Sequence, residues 1–89
     1  MKIQIRYFAS VREQLGPTET VTLGTPDSGA SPRTVGELQA WLAARSPAHA
    51  AALDPARGLR TAYDQELCAA DQALADGAEV AFFPPVTGG

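Results

Sequence analysis

Apolar and polar residues alternate along Lys2–Phe8, the first stretch of the chain. One face of this stretch carries Ile3, Ile5 and Tyr7, and the other carries Gln4, Arg6 and Phe8. A period of two residues predicts a strand with one buried face. The segment Thr18–Leu23, rich in Thr and Val, repeats the pattern and predicts a second strand. Between them Ala9–Leu15 favours a short helical turn, which suits an antiparallel hairpin.

A helix is predicted after the segment 24–33, whose Pro, Gly and Ser content is typical of a loop. Thr34-Val35-Gly36-Glu37 matches a capping box, in which the Thr34 hydroxyl bonds forward and the Glu37 side chain reaches back. The apolar stripe of the helix consists of Val35, Leu38, Trp41 and Leu42. Ser46-Pro47 is expected either to end the helix or to bend it into a second short turn over 48–53.

Three further strands are predicted in the second half of the chain. Leu59–Tyr63 and Gln65–Cys68 flank a bend at Asp64, so the second segment is either a hairpin partner of the first or its continuation. A turn at 75–78 precedes the last strand, Glu79–Phe83. In that strand Val80 and Phe82 share one face, whereas Glu79, Ala81 and Phe83 share the other.

The order of these elements predicts an α+β fold, with a mixed sheet of four to five strands packed on one main helix. One helix covers only one face of such a sheet. We expect its apolar stripe to pack on Ile3, Ile5, Val80 and Phe82. By alternation Phe8 and Phe83 fall on the open face, and exposed aromatic residues are typical of a docking patch. The predicted domain spans residues 1–83, and residues 84–89 form a separate extended tail.

Pro84-Pro85-Val86-Thr87-Gly88-Gly89 closes the sequence. Proline cannot donate to a sheet ladder, so the last strand is expected to end near Phe83. The proline pair favours an extended path, and six residues in that form span roughly 20 Å at most. Glycine lacks a Cβ and fits a slot that is too narrow for other residues. We therefore predict that the Gly89 carboxylate enters the active site of another protein.

Composition and charge limit the classes of function. The 89 residues suffice for one domain, and a content of 45% hydrophobic and 19% charged residues is typical of globular rather than disordered chains. No apolar run approaches about 18 residues, and the amino end is unlike a signal peptide, so we expect a cytoplasmic protein with no membrane partner. The net charge of −3 argues against nucleic acid and favours a partner with a basic docking surface.

Cys68 and His49 are the only residues of their types. A single cysteine excludes an internal disulfide and a cysteine-based metal cluster, and no metal site is predicted. We interpret Cys68 as a small hydrophobic residue at the end of a strand. His49 lies in the alanine-rich turn after the main helix, and we interpret it as a surface residue.

Three segments carry a family resemblance. The closing pattern is DGAEVAFFPPVTGG at 76–89, and the supporting ones are FASVRE at 8–13 and TVGEL at 34–38. In this order they resemble the ubiquitin-like β-grasp sulfur carriers, and within them the small subunits of molybdopterin synthase. Two features depart from the family pattern, because the loop 24–33 is longer and Asp64 stands where asparagine is common.

The resemblance implies a chemical role for Gly89. In this family an ATP-using adenylating enzyme, related to ubiquitin activators, converts the terminal carboxylate to an acyl-adenylate. A sulfur donor protein then replaces AMP and leaves a thiocarboxylate. The large synthase subunit uses this sulfur to convert cyclic pyranopterin monophosphate into molybdopterin. The chain itself is then a sulfur donor that binds no cofactor and catalyses nothing alone.

The resemblance also assigns binding roles by position. Phe8, Leu67 and Phe83 match the apolar docking surface of the family. The tail residues expected inside the partner's channel are Pro84, Pro85, Val86, Thr87 and Gly88. Arg12 matches a recurrent arginine, which forms a surface salt bridge either within the fold or with a partner.

Other readings of the same tail remain open. Sulfur carriers for thiazole or cysteine synthesis also end in Gly-Gly and receive a thiocarboxylate. A ubiquitin-like protein modifier would share the activation step and then form an isopeptide bond with a lysine. A binding module with an inert end is a further alternative. The intact mass of the protein from cells separates sulfur carriers from protein modifiers. A thiocarboxylate adds only the mass difference between sulfur and oxygen, whereas a conjugate adds a whole protein.

Overall fold

The computed structural model describes residues 1–24 and 31–85 of the chain, with strands and helices close to the predicted positions. The elements are β1 (Lys2–Tyr7), α1 (Ala9–Leu15), β2 (Thr18–Thr22), α2 (Val35–Ala43), α3 (Pro47–Ala52), a 3₁₀ turn (Pro55–Arg57), β3 (Arg60–Tyr63), β4 (Glu66–Cys68) and β5 (Glu79–Phe83). The predicted α+β fold is confirmed. Most of the loop predicted at 24–33 lies outside the described residues. In the described ranges, every helix is too short or too polar to cross a membrane.

The sheet is mixed and has five strands in the order β2-β1-β5-β3-β4. β1 pairs antiparallel with β2, which confirms the predicted first hairpin, and parallel with β5. β3 pairs antiparallel with both β5 and β4. The last strand therefore lies in the middle of the sheet, hydrogen-bonded on both sides, and gives the following residues a rigid starting point.

The hydrophobic core lies between the helices and one face of the sheet. Its fully buried side chains include Ile3, Ile5, Val80 and Phe82 from the sheet and Val35, Leu38 and Leu42 from α2. Trp41 is partly buried and packs against this cluster. Each buried aliphatic or aromatic side chain contributes about 1.5–3 kcal/mol to stability relative to an exposed one. The predicted assignment of strand faces is thus confirmed for β1 and β5.

The amino end of α2 follows the capping-box prediction in part. The Thr34 hydroxyl accepts a hydrogen bond from the Glu37 amide at 3.2 Å. The Glu37 carboxylate reaches back one residue farther than predicted and accepts from the Arg33 amide at 3.1 Å. Both contacts satisfy backbone donors at or ahead of the helix start, where no intrahelical partner exists. A Cβ at Gly36 would lie 3.0 Å from the Ala70 Cβ, so the close approach of this helix to the loop after β4 requires a small residue.

The bend between β3 and β4 is a two-residue hairpin turn, which resolves the alternative left open by the sequence. Asp64 and Gln65 both adopt the left-handed region, with φ of +48° and +72°. Two successive residues of this kind match the twist of the flanking strands. The Asp64 carboxylate accepts a hydrogen bond from the Glu79 amide at 3.0 Å and ties the turn to the start of β5.

Candidate functional site: the open face of the sheet

An exposed apolar surface lies on the face of the sheet opposite the helices. It consists of Phe8, Ala62, Leu67, Ala81 and Phe83, which we call the apolar patch. These side chains line a shallow groove of about 600 Å³ that extends to Pro84 and Pro85. The structure thus brings together three of the four residues expected at a partner interface, at the point where the tail begins.

The local backbone explains how Phe8 reaches this face. Phe8 follows β1 in an extended conformation, with φ −129° and ψ 154°, so it continues the alternation and points away from the buried Tyr7. Its amide donates to the Phe82 carbonyl at 3.2 Å. The chain then turns into α1 at Ala9, whose φ is +53°. Residues other than glycine rarely adopt this left-handed backbone conformation. The predicted strand to Phe8 therefore ends one residue earlier, at Tyr7.

Contact between the two phenylalanine rings holds the centre of the patch in one arrangement. The Phe8 and Phe83 rings meet edge to face, with centroids 6.4 Å apart and planes at 88°. This is a favoured arrangement for aromatic pairs. The Phe8 side chain is nevertheless 40% exposed. Leu67, which lies on β4 and pairs with Ala62 of β3, is 67% exposed. Preformed apolar surface that remains in contact with water is typical of an interaction site.

A charged pair that sequence reasoning missed borders the patch on β1 and β5. The Arg6 guanidinium lies 5.5 Å from the centre of the Phe8 ring and 3.6 Å from the Glu79 carboxylate. Both residues also line the groove. The alternation of residues along the strands could have predicted that this pair borders the patch. Arg6 of β1 lies on the same face as Phe8, and Glu79 lies on the same face of β5 as Phe83.

Arg12 lies apart from the groove. It is exposed on α1, where its amide donates to the Phe8 carbonyl at 3.3 Å. Among residues 1–24 and 31–85, no acidic side chain forms an ion pair with it. The described part of the chain therefore offers no support for a salt bridge within the fold, and the pairing with a partner stays a prediction.

The tail begins at the edge of the apolar patch. β5 ends at Phe83, as the first proline predicts, and the next two residues, Pro84 and Pro85, line the groove. Pro84 is half-buried and Pro85 is exposed. The remaining tail residues of the predicted site, Val86, Thr87, Gly88 and Gly89, lie outside the described residues.

A second polar cluster, on the helix side of the sheet, joins β1 and β2 to the helical layer. The Glu19 carboxylate accepts a hydrogen bond from the Tyr7 hydroxyl at 2.9 Å and lies 3.1 Å from His49 Nε2. Its other oxygen lies 2.5 Å from Arg45. The interpretation of His49 as a surface residue was wrong, since only 18% of its side chain is exposed. Glu19 pairs with Ile5 across the strands and so faces the helices, and a carboxylate on that face requires partners.

The pKa values of this cluster follow from its contacts. Burial opposes ionisation of Glu19, but hydrogen bonds from His49 and Tyr7 and the charge of Arg45 outweigh it, so the pKa of Glu19 lies below its ordinary value. Burial, followed by the hydrogen bond and charge of Glu19, raises the pKa of the Tyr7 phenol above its ordinary value. At neutral pH Glu19 is therefore an ionised acceptor and Tyr7 a protonated donor.

Replacing Glu19 by Gln is expected to lower the free energy of unfolding by about 1–3 kcal/mol at pH 7, because buried donors lose a charged acceptor. A carboxyl whose folded pKa is depressed stabilises the fold above its unfolded pKa, and this stability is lost as the pH falls through the folded value. The difference between Glu19→Gln and the unaltered chain should therefore shrink below about pH 4. Urea unfolding at several pH values measures it.

Glu13→Gln on the exposed side of α1 is the matched control, since the side chain there is in contact with water. It should change stability by less than about 0.5 kcal/mol at every pH. An equal cost of the two substitutions at pH 7 would contradict the role given to the cluster.

Comparison with known sequences places nearly the whole chain in one group. Residues 5–89 match the ThiS family. The chain is 42% identical over 87 residues to the molybdopterin synthase sulfur carrier subunit of Escherichia coli K12, an alignment that covers 98% of this chain and 99% of that protein.

Solved structures share the fold over the full length. SAMP1 from Haloferax volcanii superposes with a TM-score of 0.72 and 26% identity, covering 100% of both chains. A putative molybdopterin converting factor subunit 1 from Pyrococcus furiosus gives 0.69 and 25% identity, covering 97% of this chain and 99% of that one. The complex of subunits 1 and 2 of the Helicobacter pylori molybdopterin-converting factor contains the same fold, with a TM-score of 0.63 and 22% identity over 100% of both chains.

Proposed function

This chain belongs to the ThiS family, and we propose that it is the sulfur carrier subunit of a molybdopterin synthase. The near-full-length identity to the Escherichia coli sulfur carrier subunit supports this role. One observation in the structure carries it, namely the apolar patch at the point where Pro84 and Pro85 leave the central strand. A partner that binds the patch receives the tail from a fixed position and direction.

The first proposed step activates the Gly89 carboxylate. A carboxylate is a poor electrophile until one of its oxygens becomes part of a good leaving group. In the adenylating partner, a Gly89 oxygen attacks the α-phosphorus of ATP and expels pyrophosphate, which leaves an acyl-adenylate. ATP is thus used by the partner, and the carrier needs no bound cofactor. Because this step consumes ATP, we propose the cytoplasm as its location.

The second proposed step introduces sulfur. A sulfide equivalent from a donor protein attacks the Gly89 carbonyl carbon, a carbon–sulfur bond forms, and the bond to the AMP oxygen breaks. The product is a thiocarboxylate, whose sulfur is a softer and better nucleophile than a carboxylate oxygen. Activation by a leaving group followed by displacement is the general logic of acyl transfer.

The third proposed step takes place in the large synthase subunit. The apolar patch docks there, and Pro84–Gly88 extend into its active site, where two sulfur transfers convert cyclic pyranopterin monophosphate into the dithiolene of molybdopterin. The large subunit provides the catalytic groups. Each charged chain provides position and one sulfur atom, so two charged chains serve one molybdopterin. In each transfer the carbon–sulfur bond of Gly89 breaks, water supplies the oxygen that replaces sulfur, and the carboxylate can be charged again.

Two alternatives concern what receives the activated tail. The similarity to the Haloferax volcanii structures of SAMP1 and of small archaeal modifier protein 1, each 26% identical to this chain, favours a protein modifier as the second candidate. In that case a lysine amine would attack the activated Gly89 carbonyl and form an isopeptide bond. A carrier for thiazole or cysteine synthesis would keep the thiocarboxylate and differ only in its recipient.

Reconstitution tests the proposal directly. The chain is incubated with its adenylating enzyme, ATP and sulfide, and we expect its intact mass to rise by the difference between one sulfur and one oxygen atom. The same reaction without ATP is the control and should leave the mass unchanged. Recovery from cells only as conjugates that carry a whole second protein would favour the modifier, and no ATP-dependent change would reject both.

A further inference from the structure

The open face carries a charge opposite in sign to that of the whole chain. Alternation and register place Lys2, Arg6 and Arg60 on this face, with Glu79 as the one acidic residue among the described strands there. The strand residues on this face therefore sum to +2, and the carboxylates of Asp64 and Asp76 lie at its border, bonded to the Glu79 and Lys2 amides. Subtracting +2 from the whole-chain charge of −3 leaves −5 on all other residues. The sign of the net charge thus does not describe the surface where a partner binds.

Two of these cations lie on either side of the central strand. Arg6 on β1 pairs with Ala81 of β5, and Arg60 on β3 pairs with Phe83 of the same strand. Two strand spacings separate β1 from β3, roughly 10 Å. The patch residues Ala81 and Phe83 lie on β5 between the two arginines, Arg6 itself lines the groove, and Arg60 is directly across from Phe83. A partner that covers this part of the patch therefore comes close to both arginines.

Within residues 1–24 and 31–85, both guanidinium groups keep N–H donors that bind no other side chain. Arg6 contacts one carboxylate, Glu79, at 3.6 Å, and its side chain remains 45% exposed. A guanidinium has five N–H donors and readily binds a second carboxylate. Arg60 is exposed, and no acidic side chain in residues 1–24 or 31–85 forms an ion pair with it. Covering these groups without a counter-charge would leave unpaired cations at a partly dry interface, which is costly.

We propose that Arg6 and Arg60 are specificity determinants of the docking surface, and that they select a protein partner whose apolar contact region is flanked by carboxylates. This inference rests on the proposed function, with the large synthase subunit as the occupant. A protein fits better than a nucleic acid, because the centre of the surface is apolar and the remainder of the chain repels a polyanion. Glu79 then competes with the partner for Arg6 and tunes the affinity.

Charge reversal tests the proposal. Arg6→Glu and Arg60→Glu are compared with the unaltered chain for binding to the large subunit encoded in the same genome, by calorimetry at low and at physiological salt. Each substitution should weaken binding on the order of tenfold, with a smaller salt dependence. Arg33→Glu, an exposed cation ahead of α2, is the matched control and should bind as the unaltered chain does.

Glu79→Gln separates partner recognition from support of the fold. If Arg6 serves the partner, removal of its internal competitor should leave binding equal or about threefold tighter. If Arg6 and Glu79 only stabilise the patch, Glu79→Gln should weaken binding, and the proposal is then wrong. Melting curves for each variant verify that the domain is folded.

The remaining outcomes are also decisive. Absence of binding by the unaltered chain would reject the proposed function itself. Binding that both charge reversals retain would reject only the role of the two arginines. Tight binding of a single-stranded oligonucleotide, or formation of a homodimer, that the reversals abolish would show that the face serves a different occupant.

Discussion

A chain that lacks Gly89 is expected to transfer no sulfur, and a chain with one alanine added after Gly89 is expected to behave in the same way. In the proposed reaction every bond forms or breaks at the Gly89 carbonyl carbon. Shortening or lengthening the tail by one residue shifts the carboxylate by about 3.3–3.6 Å, well beyond the tolerance of a reacting geometry. The measurement is molybdopterin formation with the charged carrier and the large subunit, where the signal should fall to background.

The fold and the docking surface should remain intact in both variants. The buried cluster is formed by residues from Ile3 to Phe82, so the end of the tail removes nothing from it. Thermal unfolding should therefore match that of the unaltered chain, and affinity for the large subunit should change little. If either variant still produced molybdopterin at the normal rate, the acyl-transfer proposal would have to be abandoned.

Replacing Phe83 by Asp is expected to weaken binding to the large subunit by about 2–4 kcal/mol, or roughly 30- to 1,000-fold in Kd. The substitution removes half of the edge-to-face ring pair and places a carboxylate in the centre of the apolar patch. The carboxylate must lose its water on docking, and Arg60 across from it offsets only part of that cost. Calorimetric titration with the large subunit measures the loss.

Two further variants keep this prediction independent of folding. Leu67→Asp changes the same patch at a side chain that is 67% exposed on an edge strand, so it should weaken binding with little effect on stability. Thr20→Asp is the control, because it lies on the same face at the opposite edge of the sheet, beyond the groove. Equal affinity of the Leu67 and Thr20 variants would show that the partner binds elsewhere.

Much of the fold was predictable because its signals are local. Alternation along β1 and β5, the threonine cap of α2 and the proline after Phe83 each act within a few residues, and each matches the structure. The end of β1 differs by one residue, since the backbone turns sharply at Ala9. That deviation depends on packing of α1 against the sheet and has no counterpart in the residue pattern.

The candidate site was predictable only in part. Alternation alone put Phe8 and Phe83 on the open face, whereas Leu67 was assigned through the family resemblance. Arg6 and Glu79 lay on the same face by the same rule, yet their contact depends on the parallel pairing of β1 with β5, which brings together residues more than seventy positions apart.

The sequence by itself determined which residues form strands and helices, which faces are apolar and where the sheet must stop, because these depend on backbone geometry and on side chains close together along the chain. Tertiary structure alone decided the strand order, the contact of His49 with Glu19 and the positive charge beside the apolar patch. Those features arise from pairing between segments that are distant along the chain. The residues near any one position do not specify which distant segment it will contact.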